Sequence, residues 1–469
     1  MRRSSASAET QSTRSEMLAR FPVDACIPRL YIAHGLMPHN KTRARVFRFG
    51  FPAIFLALAI AVSIPAWPRG LAAGFCVARA TALAPLHGRS PASAPVRSGI
   101  DVLEAENFAP LRGLRVGVIT NQTGVDSHGV RTIDALAHAP DVKLVAIFSP
   151  EHGLAGRADA DVANDTDAAT GLPIYSLYGE TRRPTDAMLA GLDALVFDIQ
   201  DAGVRFYTFT TTMAYCMEAA AKHRIAFFVL DRPNPIGGEA IEGPMLDADK
   251  TSFVGYFLMP VRYAMTIGEL AEMFNAENKI GADLHVIAMK GWRRSEAYDA
   301  TGLPWIAPSP NLRTVKAAFL YPGVEILQAG GVSVGRGTDA PFEILGAPWI
   351  QAQALATELN RRKIPGVRFA PAHFTPASGL YASQACQGVT LAVTDRSALR
   401  SMPMGLEIAE TLGRMYPGEF HAAKLIELLG SQSTVDQLLR GDSAAQIVSG
   451  WSAGLDRFRA MRAKYLLYN

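Results

Sequence analysis

The stretch LRVGVIT at residues 114–120 decides the fold of this chain. It is β-branched and almost continuously apolar, as a strand covered on both faces should be. KLVAIFS (143–149), ALVFDIQ (194–200) and AFFVLDR (226–232) repeat the pattern. Amphipathic stretches near 129–139, 184–191 and 207–223 separate them. Strands alternating with helices predict a parallel sheet in an α/β layer. Further on, Thr266 and Glu269 form a capping box before a helix reaching Asn278. LHVIAM (284–289) reads as another strand. Residues 351–362, 401–415 and 444–463 read as helices, and 367–370 and 388–395 as strands. The segment 321–349 is rich in Gly and Pro and reads as a long loop forming a substrate wall. These readings divide the chain into a leader (1–100), a parallel-sheet catalytic domain (101–262) and a smaller α/β domain (263–469). A ligand cleft is expected between the two domains.

The 469 residues are 49% hydrophobic and 19% charged, a globular composition. The net charge of +3 hides an asymmetry. Residues 1–97 carry 13 Lys/Arg against 3 Asp/Glu, and the rest of the chain carries 33 against 40. The folded part is therefore mildly acidic, which argues against nucleic acid as a partner. Basic residues from Lys41 to Arg48 precede the apolar run FGFPAIFLALAIAVSIPAW (49–67). That order predicts an export signal, with an uncleaved membrane anchor through 49–67 as the rival. The expected location is periplasmic or extracellular. Met37 is a plausible alternative start. Cys216 and Cys386, the two cysteines beyond the leader, form neither a disulfide framework nor a zinc motif.

Polar residues cluster where such a sheet binds ligands, beyond the carboxyl ends of its strands. The four strands run into Asn121-Gln122-Thr-Gly, Ser-Pro-Glu151-His152-Gly, Asp198-Ile-Gln-Asp201 with Arg205 and Tyr207, and Asp231-Arg232-Pro-Asn234-Pro. No Gly-x-Gly-x-x-Gly follows the first strand, so a dinucleotide is not expected. Glu151 stands between Pro150 and His152, which fixes its position. Carboxyl groups from different strand ends across a cleft suit glycoside hydrolysis. Burial raises the pKa of such an acid, and Arg205 would keep a nearby Asp ionised. Glu151, His152, Asp198 and Asp201 are the catalytic candidates. Asn121, Gln122, Arg205, Tyr207, Arg232 and Asn234, with Arg336 and Glu343 from the 321–349 segment, are the substrate-binding candidates. A divalent ion on Asp198, Asp201 and His152 is the rival reading. No His-x-x-His or His-Glu-x-x-His spacing supports it, and no metal or cofactor is expected. Gly331-Val-Ser333-Val-Gly335 matches a nucleophile elbow in letters but reads as a glycine-rich bend. Tyr175, Tyr178, Phe206, Tyr207 and Phe209 bracket the carboxylates, as core residues or as faces for a sugar ring.

Seven motifs in order carry a resemblance. They are Thr120–Gly124, Ser149–Gly153, Phe197–Asp201 with its continuation to Tyr207-Thr208, Asp231–Pro235, Pro308–Asn311, Tyr321–Gly323, and Ser333–Thr338 with Pro341–Glu343. Together they resemble the NamZ-type exo-β-N-acetylmuramidase family from about residue 112 to the C-terminus. The resemblance implies a Rossmann-like domain without nucleotide, a smaller C-terminal domain and an active-site cleft between them. It implies release of N-acetylmuramic acid (MurNAc) from the non-reducing end of peptidoglycan fragments, with MurNAc–GlcNAc saccharides as partners. Glu151 is the residue carried over as the catalytic carboxylate. The resemblance also suggests that Arg205, Arg232 or Arg336 clamps the lactyl carboxylate that distinguishes muramic acid from glucosamine. The different-class alternative is an exported muropeptide- or sugar-binding protein without turnover. A metal-dependent hydrolase is the third reading.

Overall fold

A computed structural model describes residues 95–158 and 161–469, which belong to one compact unit. The basic run and the apolar stretch 49–67 lie outside the described residues.

Twelve strands are described: β1 (Arg115–Thr120), β2 (Lys143–Ser149), β3 (Asp165–Thr166), β4 (Pro173–Ser176), β5 (Ala194–Asp198), β6 (Ala226–Leu230), β7 (Glu242–Met245), β8 (Pro260–Arg262), β9 (Leu284–Ile287), β10 (Ile344–Ala347), β11 (Val367–Phe374) and β12 (Cys386–Val393). Seven of them form a sheet in the order β3-β4-β2-β1-β5-β6-β9. All neighbours are parallel except the short edge pair β3–β4. From β1 the chain steps outward to β2 and β4, then returns past β1 to lay down β5, β6 and β9. The reversal falls between β1 and β5, and in such sheets the ligand crevice opens at that point. The register sets Thr120 beside Asp198 and Ile119 beside Phe148, so the three carboxyl ends finish level.

The near-continuous apolar reading of these strands has a direct cause. Val116 and Val118 face one core with Ile133, Leu136 and Phe228. Ile119 faces the other with Phe148, Phe197 and Val229, because successive side chains alternate across the sheet. The second core runs on without a break into the C-terminal half through Val261, Leu320, Val389 and Met402. The capping box at Thr266 forms as expected and starts the helix Ile267–Glu277. That half also carries a separate antiparallel sheet, β10-β12-β11. The helix Ala352–Arg361 is amphipathic, with Ala352, Leu355, Ala356 and Leu359 buried.

Two differences from the sequence reading matter for the site. The division at 262/263 separates β9 from its partners, yet β9 is the edge of the large sheet beside β6. The expected loop at 321–349 begins inside a helix, Val315–Ala329, which is buried from Ala317 to Leu327. Pro322 and Gly323 read as turn formers, but here they lie within the helix. A Cβ on Gly323 would stand 1.8 Å from the Ser401 carbonyl oxygen, and one on Gly405 would stand 2.3 Å from the Gly323 carbonyl. The glycines thus let this helix and Ser401–Met415 touch backbone to backbone. Close packing, not a turn, explains their place.

Candidate active site

At the reversal point the loop after β1 is knitted to the loop after β5. The Thr120 hydroxyl donates to the Asp198 carbonyl at 2.8 Å, and the Gln200 amide donates to Thr123 Oγ1 at 2.9 Å. The Asn121 carboxamide oxygen accepts from the Thr123 amide at 2.9 Å. A Cβ on Gly124 would lie 2.0 Å from Thr120 Oγ1, so this tight turn has room only for glycine. Gln122 reaches sideways and donates to the Ala307 carbonyl at 2.8 Å, tying the first half to the Pro308–Asn311 segment.

Several candidates face inward. Asp198 is wholly buried and paired with Arg232, whose Nη2 lies 2.8 Å from Oδ2 while Nε holds Oδ1. The Thr132 hydroxyl also donates to Asp198, and Arg232 donates to the Val125 carbonyl. Arg205 is 1% exposed, and its Nη atoms donate to the carbonyls of Pro244, Met259, Leu428 and Leu429. Asn234 spans from the Met265 carbonyl to the Ile236 amide. Glu343 accepts from Thr314 and Lys316 where the helix Val315–Ala329 begins. Among the described residues no three His, Cys, Asp or Glu side chains converge, so Asp198, Asp201 and His152 are not brought to one point.

Asp201 is different. It accepts from the Tyr263 hydroxyl and the Gly203 amide through Oδ2, while Oδ1 is buried without a hydrogen-bond partner among the described residues. Burial pushes its carboxyl up to about 6, partly offset by the Tyr263 hydroxyl and the Gly203 and Ala202 amides. In the unfolded chain the group returns to about 3.9. Between these values the native state holds the proton more tightly, so rising pH weakens the fold across that window. Asp201→Asn removes this pH dependence. Its melting temperature relative to the parent is expected to climb from pH 4 to pH 7 and then level off. A gap that does not change with pH would show that Asp201 does not titrate there.

Glu151 stands where β2 ends and the chain turns sharply. His152 (φ 71°) and Gly153 (φ 72°) are both left-handed, and the His152 ring donates from Nδ1 to the Ala158 carbonyl at 2.6 Å. Gly153 takes this conformation freely, but for His152 it is uncommon, and such non-glycine positions are often found at functional sites. The Glu151 carboxylate is half-buried and accepts from the Thr208 hydroxyl. It also meets the hydroxyl of Tyr178, whose pKa burial and this carboxylate raise to about 12.

The C-terminal half completes the surroundings. Tyr207 packs edge-on against Phe209 and Tyr321, with ring centres 4.9 and 5.9 Å apart. Burial holds both the Tyr207 and Tyr321 hydroxyls above the ordinary range, and both feel the charge of Glu151 and Arg336. Arg336 pairs with Glu325 at 2.7 Å and lies 5.2 Å from the centre of the Phe342 ring. Burial raises the Glu325 carboxyl, and Arg336 opposes that shift. Glu325 Oε2 makes no hydrogen bond among the described residues. A buried polar atom left so costs free energy unless water or a ligand satisfies it.

The structure therefore brings Glu151, Tyr207, Asp201 and Arg336 to one region. It turns Asp198, Arg205, Arg232 and Asn234 into the framework behind it. Sequence reasoning did not select Thr208, Tyr263, Tyr321 or Glu325 as site residues. Tyr321 and Glu325 had a signal: once 315–329 is read as helix, positions four apart share a face. Chemically, the region offers one accessible carboxyl group, aromatic faces and a cation–carboxylate pair from the opposite half. That set suits proton donation to a leaving oxygen on a sugar.

Comparisons with known proteins identify a family. A model described as exo-β-N-acetylmuramidase NamZ, N-terminal, matches residues 116–316, and its C-terminal counterpart matches 319–468. A protein named peptidoglycan β-N-acetylmuramidase NamZ, from Bacillus subtilis (strain 168), is 44% identical over 378 residues, covering 80% of this chain and 91% of that protein. Two crystal structures of DUF1343 family proteins from Bacteroides fragilis are also similar. One is 40% identical with a TM-score of 0.75, the other 31% identical with a TM-score of 0.65. Each covers 80% of this chain and 99% of its own.

Proposed function

The chain belongs to the exo-β-N-acetylmuramidase NamZ family, and from that premise we propose that it is an exo-acting glycoside hydrolase releasing MurNAc from the non-reducing end of peptidoglycan fragments. The observation that carries the reading is Glu151, held by Thr208 and Tyr178 at the carboxyl end of β2 and faced by Tyr207, Tyr321 and Arg336. Glu151 is the general acid, giving its proton to the glycosidic oxygen as the bond to the anomeric carbon breaks; water forms the new bond to that carbon and releases a proton. The tyrosine faces pack on the apolar side of the pyranose. The natural substrates are MurNAc–GlcNAc saccharides from cell-wall turnover.

The full chain, incubated with a MurNAc–GlcNAc disaccharide with and without a chelator, should release both monosaccharides at the same rate. Binding without release would move the assignment to a muropeptide-binding protein. Loss of release on chelation would move it to a metal-dependent hydrolase. We further propose export, supported by the basic run 41–48 before the apolar stretch 49–67. N-terminal sequencing of the protein from the cell envelope checks this and separates cleavage from anchoring.

A further inference from the structure

Arg182 borders Tyr178, the tyrosine that also meets the acid, but was not among the sequence candidates. Its guanidinium carbon is 4.4 Å from the centre of the Phe253 ring and 5.6 Å from that of Tyr178. The neighbouring Arg183 is spent, ion-paired with Glu218 and stacked on Tyr215 at 3.6 Å. Arg182, half-buried, has no such carboxylate partner among the described residues. A stacked guanidinium uses its flat faces on the rings and keeps its N–H donors at the edge. Those donors match the two oxygens of a carboxylate. The ring of Tyr178 carries the cation on its face and meets Glu151 through its hydroxyl.

A muramyl residue presents its lactyl carboxylate and its glycosidic oxygen on the same sugar ring. The other arginines offered for that carboxylate are less suited. Arg205 and Arg232 are buried with their donors on carbonyls and on Asp198. Arg336 is balanced by Glu325. We propose that Arg182, held on Tyr178 and Phe253, binds the lactyl carboxylate and sets the preference for muramyl over glucosaminyl substrates. This rests on the hydrolase reading above.

The test compares the full-length parent, Arg182→Ala and Arg182→Lys on three aryl β-N-acetylmuramides. One carries a free lactyl acid, one its methyl ester, and one an L-alanine amide that moves the carboxylate outward. Arg182→Ala should raise KM for the free acid about 10- to 100-fold, the loss of a charge-assisted pair, with kcat nearly unchanged. The same variant should treat acid and ester alike, while the parent discriminates between them. Arg182→Lys should recover part of the discrimination, which a merely structural defect would not allow. An unchanged acid-to-ester ratio in Arg182→Ala overturns the proposal. A penalty confined to the alanyl substrate overturns it in favour of a peptide-stem site. If the parent cleaves none of the three, the hydrolase reading fails by itself. Calorimetric binding of MurNAc to parent and Arg182→Ala then decides the role of Arg182.

Discussion

Glu151→Gln should leave the chain folded and lower kcat on an unactivated MurNAc–GlcNAc disaccharide by at least about 10²- to 10⁴-fold, the usual worth of a positioned proton donor. The replacement is isosteric. Its amide oxygen can still accept from Thr208 and Tyr178, the two hydroxyls that hold the carboxylate. What it cannot do is deliver a proton to the departing oxygen. The pattern across leaving groups is therefore diagnostic. A nitrophenyl muramide departs with little protonation, so Glu151→Gln should lose much less on it than on the disaccharide. Equal losses on both would mean that Glu151 attacks or activates water and does not protonate the leaving group. Undiminished turnover of the disaccharide would remove it from the reaction.

The second large effect is on stability. Asp198→Ala should cost about 3–5 kcal/mol, because it leaves the Arg232 guanidinium buried without its counter-charge. Both side chains are out of solvent, at 0% and 4% exposure, and both carboxylate oxygens are engaged. A loss of that size is a large share of the stability of an ordinary domain. Replacing both partners, as in Asp198→Leu with Arg232→Met, should recover much of it, since no lone charge remains. Urea unfolding followed by circular dichroism measures both changes. The double variant also separates framework from chemistry. If it folds and keeps turnover within about tenfold of the parent, less than removal of a proton donor costs, Asp198 serves the scaffold. If it folds and is inert, Asp198 belongs to the reaction.

The fold was legible in the sequence wherever burial leaves a local pattern. β1, β2, β5 and β6 are covered on both faces, so each shows as a continuous apolar run. The Thr266–Glu269 box was legible because its bonds close within four residues. The helix Val315–Ala329 was not, because Pro and Gly signal turns unless a neighbouring helix needs the room. That neighbour, Ser401–Met415, is some eighty residues away in the chain. Losing the helix also hid the shared face of Tyr321 and Glu325.

By itself, the sequence determined that an α/β sheet gathers polar strand ends at one edge, and that Glu151 stands at one of them between Pro150 and His152. Only the tertiary structure decided what each polar side chain does there. Arg205 looked like a substrate clamp by its neighbours in the chain, yet its acceptors come from residues 244, 259, 428 and 429. Arg182 sat unremarked until Phe253 was folded beneath it. The physical reason is one of range. Burial periodicity is set by an element's own backbone, whereas the charge or donor left over for a ligand depends on partners the chain supplies from far away.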